Sequence, residues 1–298
     1  MSRSVSRSVH SVGSLLGLAR SHGLDLETTA TDLDDTGLDF AVLHAHDDEG
    51  TAWILRAPRR PEVFASTQIE KRALDVVRPF LKPSVPDFVV HTETLVAYPK
   101  LEGVVAMSLW PATPTPTFLA SYAELQLAFQ RIPRSALEAG GVPLRTVAAD
   151  RELHAKAMHE TRAALEPSAA LWRRWQRWLE DDASWPRELA LGHGDLHPGH
   201  LLLGPTGAIW GILDWTEVAV ADPSVDLALF YGCYGADAFD TVLDALTTGG
   251  GLVWPQLRAH AIERWTAFPA LGAAWALRTG NATALEFSRT QVAANAAG

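Results

Sequence analysis

One cysteine, Cys233, and four lysines, Lys71, Lys82, Lys100 and Lys156, are all that the 298 residues hold of those two types. A single thiol cannot close an internal disulfide, which excludes a disulfide-stapled secreted scaffold and fits a reducing cytoplasm. No apolar run approaches the roughly 20 residues of a membrane span, so no membrane partner is expected. Arginine carries most of the positive charge, and the net charge is −10. Nucleic-acid binding needs a basic face, which this balance argues against. No acid precedes Asp25, and the first ten residues, MSRSVSRSVH, are rich in Ser and Arg. A transit peptide shares that bias, but a short tail leading into a helix accounts for it as well. What the chain does have is 47% hydrophobic and 20% charged residues, the mixture of a globular protein long enough for two lobes.

SVGSLLGLARSH at 11–22 reads as an amphipathic helix. Phe40, Val42 and His44 then alternate as on a strand, and Glu49–Gly50 makes a turn. TAWILRAP returns with Trp53 and Leu55 on one face and Ile54 and Arg56 on the other, so a hairpin is expected. FASTQIEKRALDVVRPFL has helical spacing until Pro83 and Pro86 stop it, and strands are predicted at 87–91 and 94–98. Beyond them the pattern is helical, at 117–131, 149–166, 168–182, 224–231, 236–247, 253–279 and 281–296, with a β-rich break at 190–214. Pro269 is expected to kink the long late helix. Trp172, Trp175 and Trp178 recur every three residues on one helix face and read as core.

The segment from Leu189 to Asp226 carries the chemistry. LLL and AIWGILDW are two strands joined by GPTG, with HGDLHPGH before the first and Asp214 at the end of the second. Folding that hairpin brings Asp195, His200 and Asp214 to one point. Three readings are open. The loop can be ordinary polar structure with satisfied histidines. It can be a metallohydrolase site, with His193, Asp195, His197 and His200 as ligands, although no second histidine cluster completes a two-metal set. It can serve phosphoryl transfer, in which one carboxylate takes the acceptor's proton and a second, with a partner, holds Mg²⁺ on the phosphates. The last needs a loop, a short hairpin and a distal Asp in this order, after a sheet-rich lobe.

HGDLHPGH, the hairpin, ILDW and ADPSVDLA together resemble the aminoglycoside and macrolide phosphotransferase family, over nearly the whole chain. That family's loop usually ends in Asn where this chain has His200. Its macrolide 2′-phosphotransferase branch is similar in having the histidine, and in WILRAPRR at 53–60 and TGLDF at 36–40. The resemblance implies an α+β, bilobal protein-kinase-like fold: a small β-rich lobe over 1–98, a hinge at 99–103 and a larger helical lobe over 104–298. It implies that Asp195 is the catalytic base and that His200 and Asp214 bind the metal. Thr36, Gly37, Leu38, Asp39 and Phe40 would form the loop over the nucleotide phosphates. Arg56 stands where the family often has a lysine, and Glu70 would pair with it. Tyr98, Pro99, Lys100 and Leu101 would hold the nucleotide base.

Two departures bear on the mechanism. No lysine occupies the phosphate position, and arginine binds phosphate differently. Imidazole at 200 is softer than an amide oxygen, whereas Mg²⁺ prefers oxygen. Asp222 and Asp226 are expected to brace the loop and cap a helix, His193 to hold the loop, and Cys233 to be inert. A surface ion pair is the lesser alternative for Arg56 and Glu70. The expected partners are a nucleoside triphosphate, GTP before ATP, with Mg²⁺, and a macrolide, acting on a monomer. Trp265, Phe268 and Trp275, on a late helix with Glu263 as its single acid, are the candidate acceptor wall. A kinase of the same fold acting on an aminoglycoside, choline or homoserine, and a nucleotide-binding module without turnover, are the alternatives.

Overall fold

The computed structural model describes residues 10–28, 33–34, 39–110 and 113–296. The predicted loop residues Thr36, Gly37 and Leu38 therefore lie outside the described residues.

The N-terminal region is a five-stranded antiparallel sheet of order β1-β2-β3-β5-β4. Its strands are β1 (Leu33–Asp34), β2 (Phe40–His46), β3 (Ala52–Pro58), β4 (Val90–His91) and β5 (Val96–Pro99). The β2–β3 turn closes because Asp47 Oδ1 accepts the backbone N–H groups of Glu49 and Thr51, and Gly50 takes φ +83°. Strand alternation sends Leu43, Leu55 and Ala57 to one face, where they meet Leu15 and Ala19 of α1 (Val12–Ser21). Ile54 and Arg56 point to the opposite face, which α2 (Pro61–Val77) covers. Burying each such Leu stabilises the fold by about 1.5–3 kcal/mol.

Helix α2 starts three residues before its predicted first turn, because Pro61 supplies a preorganised start that hydrophobic spacing does not show. The two predicted strands at 87–91 and 94–98 shrink to β4 and β5.

The C-terminal region is mainly helical: α3 (Pro116–Arg131), α4 (Arg134–Ala139), α5 (Val147–Leu165), α6 (Ala169–Glu180), α7 (Ser224–Thr248), α8 (Leu257–Thr279) and α9 (Ala282–Ala296). The short α4 carries too little periodicity to be foreseen. The helices predicted at 224–231 and 236–247 are the two arms of α7, which a kink separates at Gly235, whose φ 80° and ψ −177° are not helical. Helix α8 runs through Pro269, within the long late helix the sequence predicts. Two small sheets interrupt the helices. One pairs β7 (Ala190–Gly192) with β10 (Ala219–Ala221), and the other has the order β6-β8-β9, from Val104–Val105, Leu201–Leu203 and Ile209–Ile212. Trp175 and Trp178 are buried and Trp172 packs against them, so the tryptophan stripe is core. The largest apolar cluster runs from the underside of the sheet through Phe129 and Trp215 to α7, and fixes the two regions against each other. Among the described residues, no helix is long and apolar enough to cross a membrane.

Candidate active site

The loop between β7 and β8 is held from below by one carboxylate. Asp226, in the first turn of α7, accepts the backbone N–H of His193 at 2.8 Å and of Gly194 at 2.9 Å. Burial pushes its carboxyl up to about 6, against these hydrogen bonds. His193 is fully buried and uses both ring nitrogens: Nε2 donates to the Leu213 carbonyl at 2.9 Å, and Nδ1 accepts the Asp195 N–H at 3.3 Å. Burial and the nearby His200 push it down to about 3. With no lone pair to offer, His193 drops out of the four-ligand metallohydrolase set.

Asp222 has a different task. Its Oδ1 accepts the Ser224 N–H at 2.8 Å, and its Oδ2 lies 2.7 Å from both His260 Nε2 and an Arg264 guanidinium nitrogen. Asp150 meets the same nitrogen at 2.8 Å. This buried cluster binds α8 to α5 and to the start of α7.

Asp195, His200 and Asp214 come together as the hairpin predicts. His200 Nδ1 is 2.8 Å from the Asp195 carbonyl and 3.6 Å from its Oδ2, and His200 Nε2 is 3.8 Å from Asp214 Oδ2. A carbonyl can only accept, so Nδ1 carries the proton in a neutral ring and Nε2 turns its lone pair toward Asp214. Two donors about 2.1 Å from one ion are at most about 4.2 Å apart, so these two atoms can share a cation. Asp214 sits at φ +55°, uncommon outside glycine, two residues after β9. Its Oδ1 accepts the Thr216 hydroxyl at 2.7 Å, which leaves Oδ2 facing His200. Burial raises its carboxyl, but Arg56, His200 and Thr216 more than reverse that, so it stays ionised. His197, read in the sequence only as a metallohydrolase ligand, has Nε2 3.8 Å from Asp195 Oδ2. Among the described residues, Asp195, His197 and His200 form a group whose ligand atoms lie within 4.8 Å of one another.

Arg56 and Glu70 are not a surface pair. Both are buried, 3.0 Å apart, and the guanidinium stacks 4.1 Å over the Phe40 ring. Burial works against the charged guanidinium, yet Glu70 more than restores it. Glu70 also accepts the backbone N–H of Trp215, next to Asp214, at 3.3 Å. Asp39 is tied to the following strand end by an ion pair with Arg60. The Tyr98 side chain is buried against Phe88, which leaves its backbone as the part able to meet a base.

Two cavities adjoin these residues. The larger, about 1050 Å³, is bounded by Pro99, Lys100, Leu101, Ser121, Leu125 and Trp210. Pro99, Lys100 and Leu101 of the predicted base-holding segment border it, and none of the site's carboxylates is among its lining. The smaller, about 550 Å³, holds Asp195 and Gly194 beside Leu153, Leu229, Trp265 and Phe268. Two of the three predicted wall residues thus line it. Trp275 is not among the lining residues, which continue along α8 with Leu271, Ala274 and Arg278.

A family model described as phosphotransferase enzyme family matches residues 33–260. An uncharacterized Bacillus subtilis protein, YcbJ, is 35% identical over 276 residues, covering 89% of this chain and 90% of that one. A solved structure named macrolide 2′-phosphotransferase type I superposes with a TM-score of 0.84 at 34% identity, covering 96% of this chain and 98% of the other. The apoenzyme of macrolide 2′-phosphotransferase MphH from Brachybacterium faecium gives 0.83 at 34% identity, over 94% and 98%.

Proposed function

The chain belongs to the phosphotransferase enzyme family, and from that premise we propose that it transfers the γ-phosphoryl group of GTP to the 2′-hydroxyl of a macrolide antibiotic. Structural relatives that carry the name macrolide 2′-phosphotransferase support this reading. The observation that carries it is the charge balance of the cavity at Asp195. Asp150 is paired with Arg264 at 2.8 Å and Glu160 with Lys156 at 3.9 Å, which leaves Asp195, beside its histidines, and Glu217, 3.7 Å from Arg145, as the lining acids able to meet an acceptor. A polycationic aminoglycoside needs several converging carboxylates. A large apolar ring with one amino sugar needs a greasy wall, which Leu153, Leu229, Trp265, Phe268 and Leu271 provide. Apolar burial at about 25 cal/mol per Å² supplies the binding that few charges would otherwise give.

Asp195 takes the acceptor proton as the hydroxyl oxygen attacks the γ-phosphorus and the bond to the β-phosphate oxygen breaks. The Asp195 carbonyl on His200 and the Asp226 strap fix the carboxylate's position. Asp214, with His200 beside it, would hold Mg²⁺, which supplies charge neutralisation on the phosphates. Arg56, locked by Glu70, directs positive charge toward them. The backbone from Tyr98 to Leu101 holds the base between lobes of residues 1–98 and 104–298.

Turnover of GTP and of ATP against erythromycin and kanamycin, with mass spectrometry and phosphorus NMR of the products, tests the proposal. The expected product is erythromycin carrying phosphate on the 2′-oxygen, with the higher kcat/KM for GTP. Phosphorylated kanamycin with untouched erythromycin overturns the acceptor, and a clear ATP preference overturns the donor.

A further inference from the structure

The cavity at Asp195 contains an acid that no sequence motif points to. Glu217 lies in the short link between Asp214 and β10, which pairs with β7 so that Ala219 faces Gly192. That pairing presses the link onto the loop. A methyl group on Gly194 would stand 2.3 Å from the Glu217 carbonyl oxygen and 3.0 Å from its Cβ, and Gly194 has φ +87°. Glycine is thus required there by both backbone angle and close approach. The root of the Glu217 side chain is consequently fixed beside the residue that precedes Asp195.

The other lining acids are less able to meet a substrate cation. Asp150 is 2% exposed and saturated by Arg264 and His154. Glu160 stands on α5 with Lys156 one turn away. Glu217 has 60% of its side chain exposed, and Arg145 approaches only to 3.7 Å, beyond hydrogen-bond length. The Arg145 backbone N–H is itself held on the Val220 carbonyl at 2.9 Å, one residue beyond the start of β10.

We propose that the Glu217 carboxylate binds an ammonium group adjacent to the acceptor hydroxyl and so selects acceptors bearing an amino sugar. This rests on the macrolide reading above. A protonated dimethylamino nitrogen has one N–H to donate, and a macrolide lying over the pocket excludes the water that screens this carboxylate in the free protein. The ammonium on Glu217 and the neighbouring hydroxyl on Asp195 make a two-point hold that orients the reacting oxygen.

The test compares erythromycin with an analogue lacking the dimethylamino group, for the unaltered protein, Glu217→Gln and Glu217→Asp. The unaltered protein should prefer the amine-bearing macrolide by about tenfold in acceptor KM, the scale of a charge-assisted hydrogen bond. Glu217→Gln should erase most of that preference, and Glu217→Asp should restore part of it. A Glu217→Gln protein of unchanged melting temperature that keeps the full preference overturns the assignment while leaving the macrolide reading intact. Turnover of neither macrolide by the unaltered protein overturns both.

Discussion

The carboxylate of Glu70 grips Arg56 through both oxygens, at 3.0 and 3.2 Å, and one of those oxygens also accepts the backbone N–H of Trp215. A single buried side chain on α2 therefore joins the central strand of the sheet to the segment that carries Asp214. An ion pair taken this far from water costs much of what it returns, but removing one partner leaves the other charged and unmatched.

Glu70→Ala should accordingly lower the free energy of unfolding by about 3–5 kcal/mol. Urea unfolding followed by circular dichroism reads the loss directly. A change below about 1 kcal/mol, the scale of an exposed pair, would show that the buried pair is not what joins the two regions.

Asp195→Asn keeps the side chain's shape and leaves the backbone carbonyl that His200 grips unchanged. Removal of a general base is expected to reduce kcat by about 10²–10⁴, with macrolide binding largely kept. Steady-state kinetics beside calorimetric titration of the acceptor separate the two effects. Near-normal turnover would remove Asp195 from the chemistry.

Replacement of His200 distinguishes ligand from scaffold. An asparagine at 200 can still donate from its amide to the Asp195 carbonyl while turning an oxygen toward Asp214, and Mg²⁺ accepts oxygen readily. Alanine can do neither. His200→Asn should keep measurable Mg²⁺-dependent nucleotide binding and turnover, and His200→Ala should lose most of both. Equal losses would assign the histidine some other work.

Acid sensitivity should trace to His193, which burial holds neutral with its proton affinity pushed down to about 3. The unfolded chain takes up a proton near pH 6.5 and the folded chain does not, so stability is lost as pH falls below 6.5 toward 3. Each unit is worth about 1.4 kcal/mol. Asp226, raised to about 6, acts in the opposite sense between pH 6 and 4 and masks part of the effect. The measurable signature is the difference between unfolding free energies at pH 6.5 and pH 5. His193→Asn should diminish that difference by about 2 kcal/mol relative to the unaltered protein. Parallel pH curves for the two proteins would contradict the assignment.

Much of this architecture is legible in the sequence because it depends on short-range pattern. Alternation in Phe40–His46 and Ala52–Pro58 specifies the hairpin, and the order of loop, hairpin and distal Asp brings Asp195, His200 and Asp214 together. What escapes is set by contacts distant in the chain. The burial of Arg56 and Glu70 depends on α2 covering the sheet, which charge alone does not reveal. Glu217 gains its interest from β10 pairing with β7, a contact between segments that carry no shared motif.

The wall of the acceptor cavity offers the last test. Trp265 stacks on Phe268 with ring centroids 5.7 Å apart and planes 13° from parallel, and both line the cavity with Asp195. The Trp265 ring lies over Gly232 of α7 so closely that a methyl there would stand 2.4 Å from it. Trp265→Ala removes the broadest apolar surface of the wall, whereas Gly232→Ala keeps the ring and forces it to move. Loss of such a contact is worth about 1.5–3 kcal/mol, or roughly a 10- to 100-fold rise in acceptor KM. Trp265→Ala should show that rise for erythromycin with the KM for GTP little changed, because the nucleotide makes no use of this wall. Gly232→Ala should move acceptor KM the same way by a smaller factor. If both variants bind erythromycin as the unaltered protein does, the macrolide does not lie on Trp265, and the acceptor must approach Asp195 from another side.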